Sequence, residues 1–235
     1  MKETGLMFKA PLVRSILDGT KTQTRRLVKP QPAPNTPHDG GTKWIAQDGL
    51  HVPVGSVGHL SLRYKQGIRC PMGQPGDRIY VRETFVQGHD YDAVTDRLRT
   101  HDDAGNPLPM KTWFRATDEA TWCDEDGWEA KTPWKPAIHM PKALARIWLD
   151  ITGVRLERLQ DISAADAIAE GIEGPFANGP WRNYQSDGYW FPEGKDIAPI
   201  LSYRSLWEST GGDWAANPWV WVIDFKRIHD QKASL

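Results

Sequence analysis

Apolar positions come in short bursts along the chain, and their period changes from helical to alternating and back. Leu12, Val13, Ile16 and Leu17 recur at helical spacing and Asp18-Gly19 supplies a stop, so a short helix is predicted. It runs into the stretch GTKTQTRR, Gly19 to Arg26. There Thr22, Thr24 and Arg26 alternate with Gln23 and Arg25, the period of a strand that starts directly after the turn. Pro30, Pro32, Pro34 and Pro37 interrupt regular structure, and a loop-rich segment is expected to Gly76. PGDRIYVRETF, Pro75 to Phe85, reads as a turn and a strand with Ile79, Val81 and Phe85 on one face. The residues from Val86 to Pro136 are polar, rich in Asp and Trp and weakly patterned. They read as an insertion carrying one or two short strands, around KTWFRAT.

ARIWLDITGVRLERL has the pattern of a longer strand. Ile147, Leu149 and Ile151 share a face, and the phase shifts at Gly153, which predicts a bulge. In DISAADAIAEGI, Ser163 is placed as an N-cap with Asp166 three residues on, Ile162 can staple the first turn, and Gly171 ends the helix. Residues 173–198 are rich in Gly, Pro and Trp and read as a loop insertion. Pro199 opens a helix carrying Ile200, Tyr203 and Trp207, and PWVWVIDFKRI closes with Trp219, Trp221, Ile223 and Phe225 on one strand face. Strands scattered between helices, without regular βαβ alternation, predict an α+β fold with a small mixed β-barrel.

Composition narrows the function classes. At 235 residues the chain can form one sizeable domain or two small ones. The net charge of -1 provides no global field for nucleic acid, so such a role needs a local patch. Twelve tryptophans could serve cores, base-stacking platforms or both. Cys70 and Cys123 lack metal-ligand spacing, and the histidines form no zinc-deaminase pattern, so neither metal nor cofactor is expected. The N-terminus has no long apolar stretch, and no run of about 18 apolar residues occurs. A cytoplasmic protein without membrane association is the expectation; the oligomeric state is left open.

Candidate chemistry concentrates in GTKTQTRR. A threonine hydroxyl becomes a nucleophile when a neighbouring base takes its proton, and a desolvated lysine can be that base. Lys21 lies at the turn and Thr24 in the strand, and alternation alone does not decide whether they meet. Glu170 sits at the end of its helix, where the macrodipole disfavours an anion. It is either a tolerated surface residue or a carboxylate aimed at a cation such as Lys21. Arg25 and Arg26, with Arg14 on the preceding helix, could hold a phosphate or a base edge, or form a solvated basic strand edge. Arg78, Arg82 and Glu83 read as a structural ion-pair ladder, with Tyr80 or Arg82 able to border a pocket.

Taken together, PLVRSILDGTKTQTRRLVKPQP, PGDRIYVRETF, DISAADAIAEGI and WVWVIDFKRI resemble the ASCH domain family. The G-x-K-T-x-T-x-R signature of that family matches at Gly19, Lys21, Thr22, Thr24 and Arg26, and its helix acid matches at Glu170. The resemblance implies a single PUA-like domain, a small β-barrel with packed helices, over residues 1–235. Its core would span approximately residues 5–30, 76–86, 135–172 and 200–228, with insertions at approximately 31–75, 87–134 and 173–199. The chain looks like the longer version carried by bacteriophages and prophages.

Compact bacterial members are N4-acetylcytidine amidohydrolases that use a lysine, a threonine and a glutamate. The resemblance therefore implies Lys21, Thr24 and Glu170 as catalytic residues, with no metal and no cofactor. Arg26, Arg25, Thr22 and Arg14 would contact a modified nucleoside or RNA. Two other classes stay open at this point: an RNA-binding protein that reads modified bases or cleaves weakly, and a phage accessory protein that binds a host protein. The arginines and tryptophans suit the first, and Trp-rich insertions suit the second.

Overall fold

A computed structural model describes residues 1–31, 43–47, 50–54, 67–92, 97–123, 129–176, 179–190 and 197–228. The architecture is mixed α+β, with few helices and mostly sheet. The chain divides into two compact units. The first comprises Met1–Thr4, Ser15–Ile79 and Trp148–Leu235, the second Gly5–Arg14 and Tyr80–Ile147.

The main sheet has five strands: β1 (Glu3–Met7), β2 (Gln23–Leu27), β3 (Arg78–Arg82), β4 (Trp148–Arg158) and β5 (Trp219–Ile228). They lie in the order β1-β3-β4-β5-β2, which among the described residues is linear, with β1 and β2 at the edges. β1 and β3 start in the first unit and continue into the second. β5 runs antiparallel to both its neighbours, with Trp221 opposite Leu156 of β4 and Ile223 opposite Thr24 of β2. The register of β4 shifts between Ile151 and Gly153, where the apolar phase changes in the sequence. Alternation in β5 suggests one covered face. Val220 and Val222 are as deeply buried as Trp221 and Ile223, so the strand is covered on both.

Among the described residues three α-helices accompany the sheet: α1 (Ala10–Leu17), α2 (Ala164–Ala169) and α3 (Ile197–Glu208). α1 stops at Gly19, whose φ of 77° takes the left-handed conformation that closes a helix. α2 has its cap where the sequence predicts it, with the Ser163 hydroxyl accepting from the Asp166 backbone N–H at 3.1 Å. α3 begins two residues before Pro199, which therefore sits in the first turn, where a missing N–H leaves no helical bond unmade.

The segment expected to be loop up to Gly76 contains an antiparallel hairpin, Lys43–Gln47 with Leu50–Val54. The Asp48-Gly49 dipeptide between β-forming residues is a hairpin signal that the surrounding prolines obscured. Pro32, Pro34 and Pro37 lie outside the described residues.

In the second unit, Phe85–Gly88 pairs antiparallel with Lys111–Phe114, the strand expected at KTWFRAT. Phe85, Phe114 and Met140 form its buried cluster. Beside them the buried Glu83 receives both arms of Arg146, at 2.9 and 2.8 Å, and Arg146 lies 4.1 Å from the centre of the Phe114 ring. In the first unit Arg78 pairs with Asp150 at 3.1 Å. Arg82 donates to the carbonyls of Met140 and Ile138. The expected ladder of Arg78, Arg82 and Glu83 does not form: Arg78 and Glu83 pair with residues of other segments, and Arg82 bonds backbone carbonyls.

Candidate functional site

Lys21 follows the turn at Gly19, and its backbone N–H donates to the Ser15 carbonyl at 2.9 Å. This sends the side chain inward, where it is 2 % exposed. The ammonium donates to the Gln23 carbonyl at 2.7 Å, the Glu170 carbonyl at 2.6 Å and Glu170 Oε2 at 2.8 Å. Three acceptors match its three protons. Burial pushes its pKa down from 10.5, against Glu170, which raises it, while Arg26 and Arg25 lower it further.

Glu170 is the C-cap residue of α2 and is buried. Its position at the negative end of a helix is offset by Lys21, which bonds both its carboxylate and its carbonyl. The next carbonyl back, Ala169 O, accepts from the Thr22 N–H at 2.9 Å, so the chain entering β2 caps the end of α2. Gly171 makes this approach possible. Its φ is 79°, and a Cβ there would lie 2.7 Å from Lys21 Cβ and 2.8 Å from Ser15 Cβ.

Arg25 points into the same region, and its side chain is fully buried. It donates through Nη1 to Gln23 Oε1, and its Nη2 lies 3.2 Å from Glu157 and 3.4 Å from Asp166. Nη1 also lies 3.5 Å from Glu170 Oε1, an oxygen that accepts no hydrogen bond among the described residues. Gln23 donates to Asp166 at 3.0 Å and to Asp224 at 2.7 Å. Arg155 reaches Glu157, Asp166 and Asp224 at 2.5, 2.9 and 2.8 Å. Tyr203 of α3 completes the region, with its ring centre 5.9 Å from the Arg25 guanidinium carbon. Burial and then the Glu170 charge push its phenol well above 10.0.

The sequence-derived residues are therefore only partly brought together. Lys21 and Glu170 meet, and Arg25 joins them. Thr24 is buried in β2 opposite Ile223, and strand alternation turns it away from Gln23 and Arg25. Among the described residues its hydroxyl makes no hydrogen bond to Lys21 or Glu170. Arg26 is partly buried opposite Trp221. Burial lowers its pKa, while the charges of Glu170 and Tyr203 raise it. Thr22 is exposed, and its backbone N–H and carbonyl serve Ala169 and Phe225. Arg14 belongs to the second unit and donates to the Ala116 carbonyl at 3.2 Å.

Gln23, Glu157, Asp166 and Tyr203 were not foreseen as parts of this site. The only sequence signal for Gln23 was its shared strand phase with Arg25. Among the described residues, no group of three or more His, Cys, Asp or Glu is placed to hold a metal ion. No described helix is long and apolar enough to cross a membrane. No protein-family model, curated protein or solved structure matches the chain.

Proposed function

We propose that the chain is an amidohydrolase of the ASCH type, built on a PUA-like barrel. Its substrate in this reading is an acylated pyrimidine nucleoside such as N4-acetylcytidine, which it hydrolyses to cytidine and acetate. One observation carries the reading: a buried lysine with a lowered pKa is hydrogen-bonded to a buried glutamate. A lysine whose pKa is lowered by burial, paired with a carboxyl group, can take a proton from a nucleophile and return one to a leaving group, which is general acid–base catalysis.

In the proposed cycle Lys21 gives a proton to Glu170 and becomes a neutral amine, the direction in which burial shifts it. The amine then takes the proton of the attacking Thr24 hydroxyl as its oxygen bonds the acyl carbon. Glu170 passes its proton to N4 as the C–N bond breaks, so cytidine leaves and an acyl-threonine remains. Water cleaves that ester, releasing acetate and restoring the threonine. The hydrogen bonds from Lys21 to Gln23 and Glu170 describe the resting enzyme; because Thr24 faces away from Gln23 and Arg25, the attack requires a rearrangement that brings its hydroxyl to the Lys21 amine. Arg26 serves the pyrimidine or ribose.

The test is mass-spectrometric detection of cytidine and acetate from N4-acetylcytidine, with wild type, Lys21→Ala, Thr24→Ser and Thr24→Val side by side. Turnover by wild type, its loss in Lys21→Ala, and its retention at a reduced rate in Thr24→Ser but not Thr24→Val are expected. Absence of turnover by folded wild-type protein across a panel of acylated nucleosides would sink the reading. Salt-dependent RNA binding in its place would favour an RNA-binding protein.

A further inference from the structure

We propose that residues 131–147, in the second unit, form a docking surface for a single-stranded nucleic acid, with Lys131, Lys135 and Lys142 on its phosphates. The proposal goes beyond the amidohydrolase reading and does not depend on it.

The net charge of -1 hides a separation of charge along this unit. Residues 116–130 carry Asp118, Glu119, Asp124, Glu125, Asp126 and Glu129, with no lysine or arginine. Residues 131–147 carry Lys131, Lys135, Lys142 and Arg146, with no acid. The three lysines are exposed, and so is His139 between them. Arg146 is neutralised by the buried Glu83 at 2.8 Å. Lys111 and Arg99 are likewise paired, with Asp90 and Asp103, whereas neither Lys131 nor Lys135 has an ion-pair partner among the described residues. Exposed cations that the protein does not neutralise are what a phosphate chain binds, releasing its counterions.

The segment is held in one shape. Lys135 and Phe85 exchange backbone hydrogen bonds at 2.7 and 3.1 Å, and the Thr132 hydroxyl donates to the Ala120 carbonyl at 2.7 Å. Single 3-10 turns follow at Ala137–His139 and Lys142–Leu144, each preceded by a proline. Met140 between them is buried with Phe85 and Phe114, and Arg82 donates to the carbonyls of Ile138 and Met140. The backbone that carries the lysines is thus already ordered, which lowers the entropy cost of binding. Apolar surface lies among the cations: Trp134 is half-buried and Ile138 is 58 % exposed. Aromatic and apolar side chains beside lysines suit unpaired bases, which a duplex keeps inside its stack.

The experiment is fluorescence anisotropy of the full chain with end-labelled single strands of mixed sequence, about 12 nucleotides long, as RNA and as DNA. It compares wild type with the triple variant Lys131→Gln, Lys135→Gln and Lys142→Gln, from about 50 to about 200 mM salt. A charge-matched triple at exposed cations outside the segment, Arg99→Gln, Lys111→Gln and Lys226→Gln, is the control. Each phosphate contact to a single strand contributes about 0.7 to the salt slope, so losing three lowers it by about 2. The segment triple is expected to bind about tenfold or more weaker at the low-salt end, while the control keeps the wild-type slope. RNA and DNA weakened alike mark phosphate contacts, and RNA weakened alone adds the 2′-hydroxyl; both support the proposal. Absence of binding by folded wild type overturns it. So does equal weakening in both triples, tighter binding of the matching duplex, or displacement by polyglutamate of equal charge. Turnover of N4-acetylcytidine is read separately, so either proposal can fail while the other stands.

Discussion

All three ammonium protons of Lys21 are placed on protein oxygens, and its removal takes from Glu170 the cation that is hydrogen-bonded to its carboxylate. Lys21→Ala is expected to cost about 3–5 kcal/mol, because the buried carboxylate keeps only the longer approach of Arg25 at 3.5 Å. Combining Lys21→Met with Glu170→Leu is expected to recover most of that loss, since apolar groups of similar volume can replace a buried pair. Urea unfolding of the single and double variants checks both. The pH dependence has a definite sign: Lys21 titrates below 10.5 when folded. Between that lower value and 10.5 the unfolded chain binds more protons, so raising the pH stabilises the folded state. Wild type should therefore gain on the double variant as pH climbs through this window, in parallel thermal melts. The meeting of Lys21 with Glu170 was legible as an acid oddly placed at a helix end. The burial of Arg25 was not, because Glu157 and Asp166 reach it from distant segments that carry no local sign of the contact.

At the scale of elements, the end of α2 and the entry to β2 form one joint. Thr22 and Lys21 satisfy two carbonyls of α2, Ser15 donates to the Gly171 carbonyl at 3.0 Å, and Gly171 lets the three segments close on one another. Two glycines with nearly the same backbone separate strain from crowding. Gly19 has φ of 77° with open space where a Cβ would go, whereas Gly171 has φ of 79° with Lys21 and Ser15 in the way. Gly19→Ala should cost about 1–2 kcal/mol, the left-handed penalty alone. Gly171→Ala should cost clearly more and also reduce turnover, as measured by chemical unfolding and the N4-acetylcytidine assay. The cap of α2 and the bulge of β4 were readable because their causes are local: a serine before an acid, and a glycine at a phase change. The pairing of Lys43–Gln47 with Leu50–Val54 is not legible in the sequence because the flanking prolines break up the local β pattern. The double burial of β5 depends on what packs against it, which no periodicity within the strand contains.

Across the molecule, the acids around Arg25 link folding to pH. Burial raises the Asp166 carboxyl, but hydrogen bonds from Gln23 and Ser163, with the charges of Arg25 and Arg155, hold it below 3.8 overall. A lowered carboxyl stabilises the folded state above its unfolded value, and that contribution disappears as pH falls through the folded value. Asp166→Asn should therefore cost about 1.5–3 kcal/mol near neutrality. The difference from wild type should vanish well below pH 3.8, read from urea midpoints across an acid series. The sheet order has a consequence in time as well as in space. β2, early in the chain, has β5 as its sheet neighbour, and β5 is the last described strand. During synthesis Lys21 and Thr24 emerge first, α2 brings Glu170 much later, and β2 waits for Val220 to Asp224 before its ladder can form. Contacts of such long sequence separation form slowly. A ribosome-bound chain halted before β5 should thus carry every member of the Lys21–Thr24–Glu170 set and still lack the strand that holds their backbone in place.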